Sequence, residues 1–258
     1  MAEQRTSRER LGQEATPPEE QSPVIATQSR GGNFAASLGI IWTLARKDLL
    51  LEVRNRDVII SIAGFILLVL AVFTFAVDLA DRDNALLVGP GVLWAGIAFA
   101  GVIGLNRAFA LEMERDTLEG LMLTPVSRDL LFLGKALGNF LFLAIAQAIV
   151  IPVFAVLFNL VVFRPEMLVI CLLATIGFSA VGTVFAAMSV RVRAREIMLP
   201  MLFLPTVAPL LLASIEATSD VVNGYGWGEM AQWLQLAAGF DVLFLVVSAI
   251  VFQFILED

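Results

Sequence analysis

Six apolar stretches almost free of charge, joined by short segments that alternate between several Lys/Arg and almost none, fix the class of fold open to this chain. The clean stretches are residues 58–77, 86–105, 137–163, 167–190 and 197–215, and a sixth at 234–256 is interrupted only by Asp241. At about 1.5 Å rise per residue each crosses, or nearly crosses, a hydrocarbon layer of about 30 Å. In lipid, every backbone N–H and C=O must be satisfied within the protein, and stretches of this length do so as helices. The expected fold is therefore all-α, a polytopic membrane protein with six transmembrane helices.

The charges between the stretches predict its orientation. Lys/Arg number eight before the first span, one in 78–85, four in 107–136, one at Arg164, three in 191–195 and none from Glu216 onward. Fifteen of the seventeen fall on one side, which the positive-inside rule makes cytoplasmic, with both termini inside. A net charge of −7 says little about partners, because the acidic residues are spread over the N-terminal tail and the outer loops. The absence of histidine removes the commonest general base, metal ligand and haem ligand together, and a single cysteine, Cys171, excludes a disulfide framework.

Residues 1–35 are rich in Gln, Ser, Pro, Glu and Arg, contain no apolar run, and are expected to form a disordered cytoplasmic N-terminal extension. They also lack the apolar segment of a secretory signal. Residues 36–57 are expected to form an amphipathic interfacial helix, with Leu38, Ile41, Trp42, Ala45, Leu49 and Val53 on one face and Arg46, Lys47, Asp48, Arg54 and Arg56 on the other. Residues 58–258 form the membrane domain.

The loop 107–135 is the most informative polar region. Too polar to span, it carries Leu111, Leu118, Leu121 and Met122 at helical spacing among Glu112, Glu114, Arg115, Asp116 and Glu119, and Pro125 stops the helix. A short cytoplasmic helix with an apolar ridge and charges suits docking of a soluble partner; by pattern alone it is equally a solvated connector.

Residues 90–142, PGVLWAGIAFAGVIGLNRAFALEMERDTLEGLMLTPVSRDLLFLGKALGNFLF, resemble the signature region of the cytochrome c maturation permease family CcmB, the haem exporter B proteins. The matching elements are a G-x-LW turn (Gly91, Leu93, Trp94), FAG-x-x-GLNR-x-F (Phe99 through Phe109), an acidic stretch, LEGL-x-L-x-PV-x-R (Leu118 through Arg128), and Gly134, Lys135 and the N-FLF opening at Asn139. The six-span layout, Arg191, Arg193 and Arg195 in the second cytoplasmic loop and the FD-x-L-F-L run at Phe240 extend the likeness over 37–258. The tail before it is not explained by the resemblance.

The resemblance implies an ABC permease domain in the cell inner membrane. It would work with a separate ATPase, CcmA, and with the haem-handling membrane proteins CcmC and CcmD, supplying haem to the chaperone CcmE. A homodimer of permeases is expected, with membrane lipid and without nucleic acid. ATP would bind the partner subunit, haem would be cargo, and no cofactor or metal would reside on this chain, which is not an enzyme. Consistent with that, no phosphate loop occurs: Gly134 and Lys135 are preceded by Asp129 where the first glycine should stand and followed by Ala136 in place of the hydroxyl residue. Glu112, Arg115, Leu118, Glu119, Gly120, Leu121, Met122, Pro125 and Arg128 would form a coupling helix, with Leu118, Leu121 and Met122 filling a groove on the ATPase and the charges meeting its edge.

Other features carry a structural reading beside a functional one. The intramembrane polar candidates are Asn139, Gln147 and Asp241; the amides, with Thr175, Ser179 and Thr183, either join helices or line a path. Asp241 lies seven residues into its stretch, near the expected outer surface, where it reads as an anchor or as a functional carboxylate. Gly134-x-x-x-Gly138 and Ala100-x-x-x-Gly104 permit close helix approach. Pro200, Pro205 and Pro209 kink the fifth span. Arg191, Arg193 and Arg195 anchor topology at anionic headgroups or make a second ATPase contact. Tyr225, Trp227 and Trp233 fit an outer aromatic belt or a platform for a partner.

A scaffold that transmits ATPase strokes to release a haem-loaded chaperone needs the same coupling helix as a permease. An ion-coupled transporter would place ionisable groups at mid-membrane, and the five clean spans hold none.

Overall fold

A computed structural model describes residues 34–54, 56–77, 81–113, 128–189 and 195–255. Among them the protein is all-helical, with seven helices: α1 (Phe34–Arg54), α2 (Arg56–Ala76), α3 (Arg82–Met113), α4 (Arg128–Phe158), α5 (Pro165–Ser189), α6 (Arg195–Val222) and α7 (Trp227–Ile255). Five contain segments long and apolar enough to cross a membrane: Arg82–Asn106, Leu130–Phe158, Pro165–Met188, Ile197–Val222 and Trp227–Val251. The α2 helix adds a shorter apolar run, Ala63–Ala76. The chain is thus a multi-pass membrane protein.

Helix ends are set by local chemistry. Arg164 precedes Pro165, whose ring fixes the backbone angle of a first helical turn and whose missing N–H would be unsatisfied there anyway. The Met167 N–H donates back to the Arg164 carbonyl. At the other end of α6, Gly224 takes φ +85°, the Gly224 N–H donates to Val221 O and the Tyr225 N–H to Asp220 O. That pair of bonds is a Schellman cap, which needs a residue tolerant of the left-handed region. Asn159, at φ 49°, closes α4 in a related way, with the Leu160 N–H donating to Ala155 O. These two caps turn the chain on the side expected to be outer. Only residues 223–226 separate α6 from α7, so of the aromatic residues expected at the outer side Trp227 and Trp233 lie on a helix and Tyr225 in the turn before it.

Helix α5 lies at the centre, packing against α3, α4, α6 and α7. Its Phe178 meets the Trp94 ring of α3 edge-on at 6.3 Å and Phe203 of α6 at 5.8 Å. All three rings are fully buried. The Trp94 Nε1–H would be an orphan donor there, and it donates to Thr218 Oγ1 of α6 at 2.8 Å. Close approach is made by glycines lacking a Cβ: Gly104 receives the Phe142 ring and Gly182 receives Leu105. Both the Ala100-x-x-x-Gly104 and Gly134-x-x-x-Gly138 expectations are met by real helix contacts.

Candidate functional site

The expected coupling residues Arg115, Leu118, Glu119, Gly120, Leu121, Met122 and Pro125 lie outside the described residues. Their flanks are placed. Glu112 belongs to the last turn of α3, which runs on to Met113, so the expected connector begins as a continuation of a spanning helix. Arg128 is the first residue of α4. The second cytoplasmic loop, with Arg191 and Arg193, is also outside the described residues, and Arg195 opens α6.

Beside the start of α4 the structure places an element whose docking the sequence did not reveal. Helix α1 lies along α4, with Leu44 against Gly134, and Ala45 and the Asp48 Cβ against Gly138. Both glycines face α1 because they are four apart on one helical face. Lys135 Nζ donates to Asp48 Oδ2 at 2.9 Å, and their side chains are only 10% and 19% exposed. One assignment is corrected: Asp48, expected on the polar face, sits in the contact beside the buried Ala45, while Leu38 and Trp42 are left exposed by the bundle. An α-helix cannot place Asp48 opposite Leu44 and Ala45, since residues three and four apart share a face.

Deeper in the bundle, α4 and α5 are joined by a polar seam. Asn139 Nδ2 donates to Thr183 Oγ1 at 2.8 Å, and Thr183 Oγ1 in turn donates to Ser179 O. Eight residues on along α4 and eight back along α5, Thr175 Oγ1 donates to Gln147 Oε1 at 3.2 Å. Two rungs at matching spacing fix the antiparallel register of the helices. All four side chains are buried, and the Gln147 Nε2 group has no partner among the described residues. The expectation that these residues face other helices holds.

Asp241 lies further along its helix than its place in the apolar stretch suggested. Because α7 begins at Trp227 rather than near Leu234, Asp241 is the central residue of a 29-residue helix, far from the outer end. It is 4% exposed, and neither carboxylate oxygen has a hydrogen-bond partner among the described residues. The sequence could not supply this, because the small and polar residues of 223–229 hide the start of the helix from a hydropathy reading.

At the expected outer end, Arg164 ties two hairpins together. Its guanidinium donates to Val221 O at 3.3 Å, to Tyr225 O at 2.9 Å, and to Glu166 Oε1 at 3.3 Å. It thereby adds a second donor to the capped Val221 carbonyl and holds the Tyr225 carbonyl just beyond the end of α6. Tyr225 and Trp227 are exposed, as an aromatic belt requires, whereas Trp233 packs partly buried against the core. Neither Arg164 nor the Asp48–Lys135 pair was singled out by sequence; the signal for the second was Gly134 and Gly138 flanking a lysine.

The family model described as CcmB protein matches residues 39–257. The heme exporter protein B of Rhodobacter capsulatus is 30% identical over 184 residues, covering 70% of this chain and 83% of the relative. That of Pseudomonas aeruginosa is 29% identical over 192 residues, covering 74% and 85%. The counterpart of Bradyrhizobium diazoefficiens is 28% identical over 184 residues.

Proposed function

Because the chain belongs to the CcmB protein family, we propose that it is the transmembrane subunit of an ABC-type exporter that handles haem for cytochrome c maturation in the cell inner membrane. The observation that carries this reading is the family match, which runs from within α1 through α7. Helix α2 acts as the first of six spans, α1 lies in the cytoplasmic interface, and both termini are cytoplasmic. A separate ATPase subunit, CcmA, supplies the energy, CcmC and CcmD handle haem beside it, and CcmE receives it. Haem is cargo; iron ligation falls to a partner, since Met, Cys171 and Tyr225 are the available ligands here.

The coupling element lies between the end of α3 and the start of α4. A push on residues 112–128 would reach α4 in the turn where Gly134, Lys135 and Gly138 hold α1. The register-fixing seam would then carry the motion to α5, at the centre of the bundle. Packed helices joined by hydrogen bonds move as bodies rather than bending continuously, which is what a lever needs.

The test is reconstitution of the chain with its ATPase in vesicles, scoring ATP-dependent movement of haem across the bilayer. Nucleotide-dependent haem movement is expected. A fully assembled complex that hydrolyses ATP, moves no haem and still releases a haem-loaded chaperone would replace export with the scaffold role.

A further inference from the structure

We propose that Asp241 is a proton-binding site at the centre of the α5–α6–α7 bundle, holding a proton while the three helices are packed. The carboxyl group lies against Gly177 of α5 and Leu210 of α6. Gly177 is the thirteenth of 25 residues in α5, Leu210 the sixteenth of 28 in α6, and Asp241 the fifteenth of 29 in α7. Three mid-helix positions therefore meet at one level. A Cβ at Gly177 would collide with both Leu210 and Asp241 Oδ1, so the missing side chain makes the notch that the carboxyl fills.

Among the described residues neither oxygen of Asp241 has a hydrogen-bond partner, and the side chains that share the Gly177 notch with it, Leu210 and Phe240, are apolar. The charged residues of the helices packed on α7 lie toward their ends. They are Arg128, Asp129 and Lys135 in the first eight residues of α4, Glu166 in α5, Arg195, Glu196, Glu216 and Asp220 in α6, and Glu229 on α7 itself. Glu216, six residues beyond Leu210, is roughly 9 Å away along the helix axis. Cys171, six residues before Gly177 on α5, is a further titratable group and offers no positive charge. An unpaired carboxylate in a dry membrane interior is costly by several kcal/mol or more, and the group that removes this cost within the notch is a proton.

Release requires water, and the wall facing Asp241 is built where a helix can yield. Leu210 follows Pro209, and Pro200, Pro205 and Pro209 each remove an N–H from the ladder of α6. Separation of α6 from α7 would wet the carboxyl and free its proton; repacking would take one up. Coupling of that exchange to a transport cycle rests on the exporter reading, whereas the resting protonation does not.

The experiment is infrared spectroscopy of the membrane-embedded complex at neutral pH and above, with aspartate isotopically labelled at its side-chain carboxyl. Ordinary aspartates ionise near pH ~4 and give no carboxylic C=O stretch there. One isotope-shifted carboxylic C=O band per chain is expected, absent from Asp241→Asn. Failure to find the band in the unmodified chain, or its survival in Asp241→Asn, overturns the site. The labelled wild-type measurement needs no variant, so an Asp241→Asn chain that does not accumulate leaves the test decisive. Holding the complex with a non-hydrolysable nucleotide is expected to reduce the band; an unchanged band with the ATPase bound overturns the exchange. Failure to bind the ATPase at all would count instead against the exporter reading.

Discussion

Removing the Asp48 carboxylate tests whether α1 is clamped to α4 by charge or merely rests on it. Asp48→Ala keeps the Cβ that packs on Gly138 and deletes the carboxylate that accepts from Lys135 Nζ at 2.9 Å and also lies 3.3 Å from Lys47 Nζ on its own helix, a pair the Lys135 cycle cancels out. Exposed ion pairs contribute about 0.2–1 kcal/mol, and breaking a fully buried one costs about 3–5 kcal/mol. With side chains 19% and 10% exposed, this pair falls between those limits. A coupling energy of about 2 kcal/mol is expected, which corresponds to roughly a 30-fold change in the ratio of docked to undocked α1. Lys135→Ala also removes alkyl packing, so single losses overstate the pair, and a double-mutant cycle is required. The cycle of Asp48→Ala, Lys135→Ala and both is read by reversible unfolding in mixed micelles. The double variant should be less destabilised than the sum of the singles by about that amount. Additive losses, with a coupling under about 0.5 kcal/mol, would refute the clamp and leave α1 held by packing, on the glycines and on the apolar cluster that Leu44 joins.

Gly104→Ala should destabilise by about 1–3 kcal/mol through collision with the Phe142 ring, and Phe142→Ala in the same chain should recover part of the loss; no recovery would place the defect elsewhere. Asn139→Ala should cost about 0.6–2 kcal/mol in the same assay, and Thr183→Val should add little once Asn139 is gone, because one rung is lost only once. Glu119→Ala with Leu121→Asp should leave the chain inserted at normal levels but release the ATPase in a pull-down, by roughly tenfold or more if an anchor of about 2 kcal/mol is lost; retention of both ATPase and haem-stained c-type cytochromes would make the loop a connector. In a Cys171→Ala background, Asp83→Cys and Tyr225→Cys, both at exposed positions, should react with an impermeant reagent added outside, and Gly39→Cys should not. The reverse pattern would invert the topology.

The sequence by itself determined the all-helical, multi-pass class of the fold and the family; of the six apolar stretches it offered, five lie in helices of full spanning length and the first in a shorter apolar run. Those properties are local or compositional: a charge-free run long enough to span lipid is helical whatever it packs against. It also picked out Gly134, Gly138 and Gly104 as points of close approach, because a missing Cβ matters in any packed helix pair. What the tertiary structure decided is which element fills each gap. Hydropathy placed Asp241 near one end of its apolar stretch, since Gly228 and Glu229 carry no apolar signal, yet they lie in the first turn of a helix that sets Asp241 at its centre. The same limit hid the Asp48–Lys135 pair: the two residues are 87 positions apart, and only the crossing of α1 over α4 brings an acceptor to that lysine. Pairing in the membrane is a property of two helix faces at once, and a single chain's pattern describes each face without saying which other it will meet.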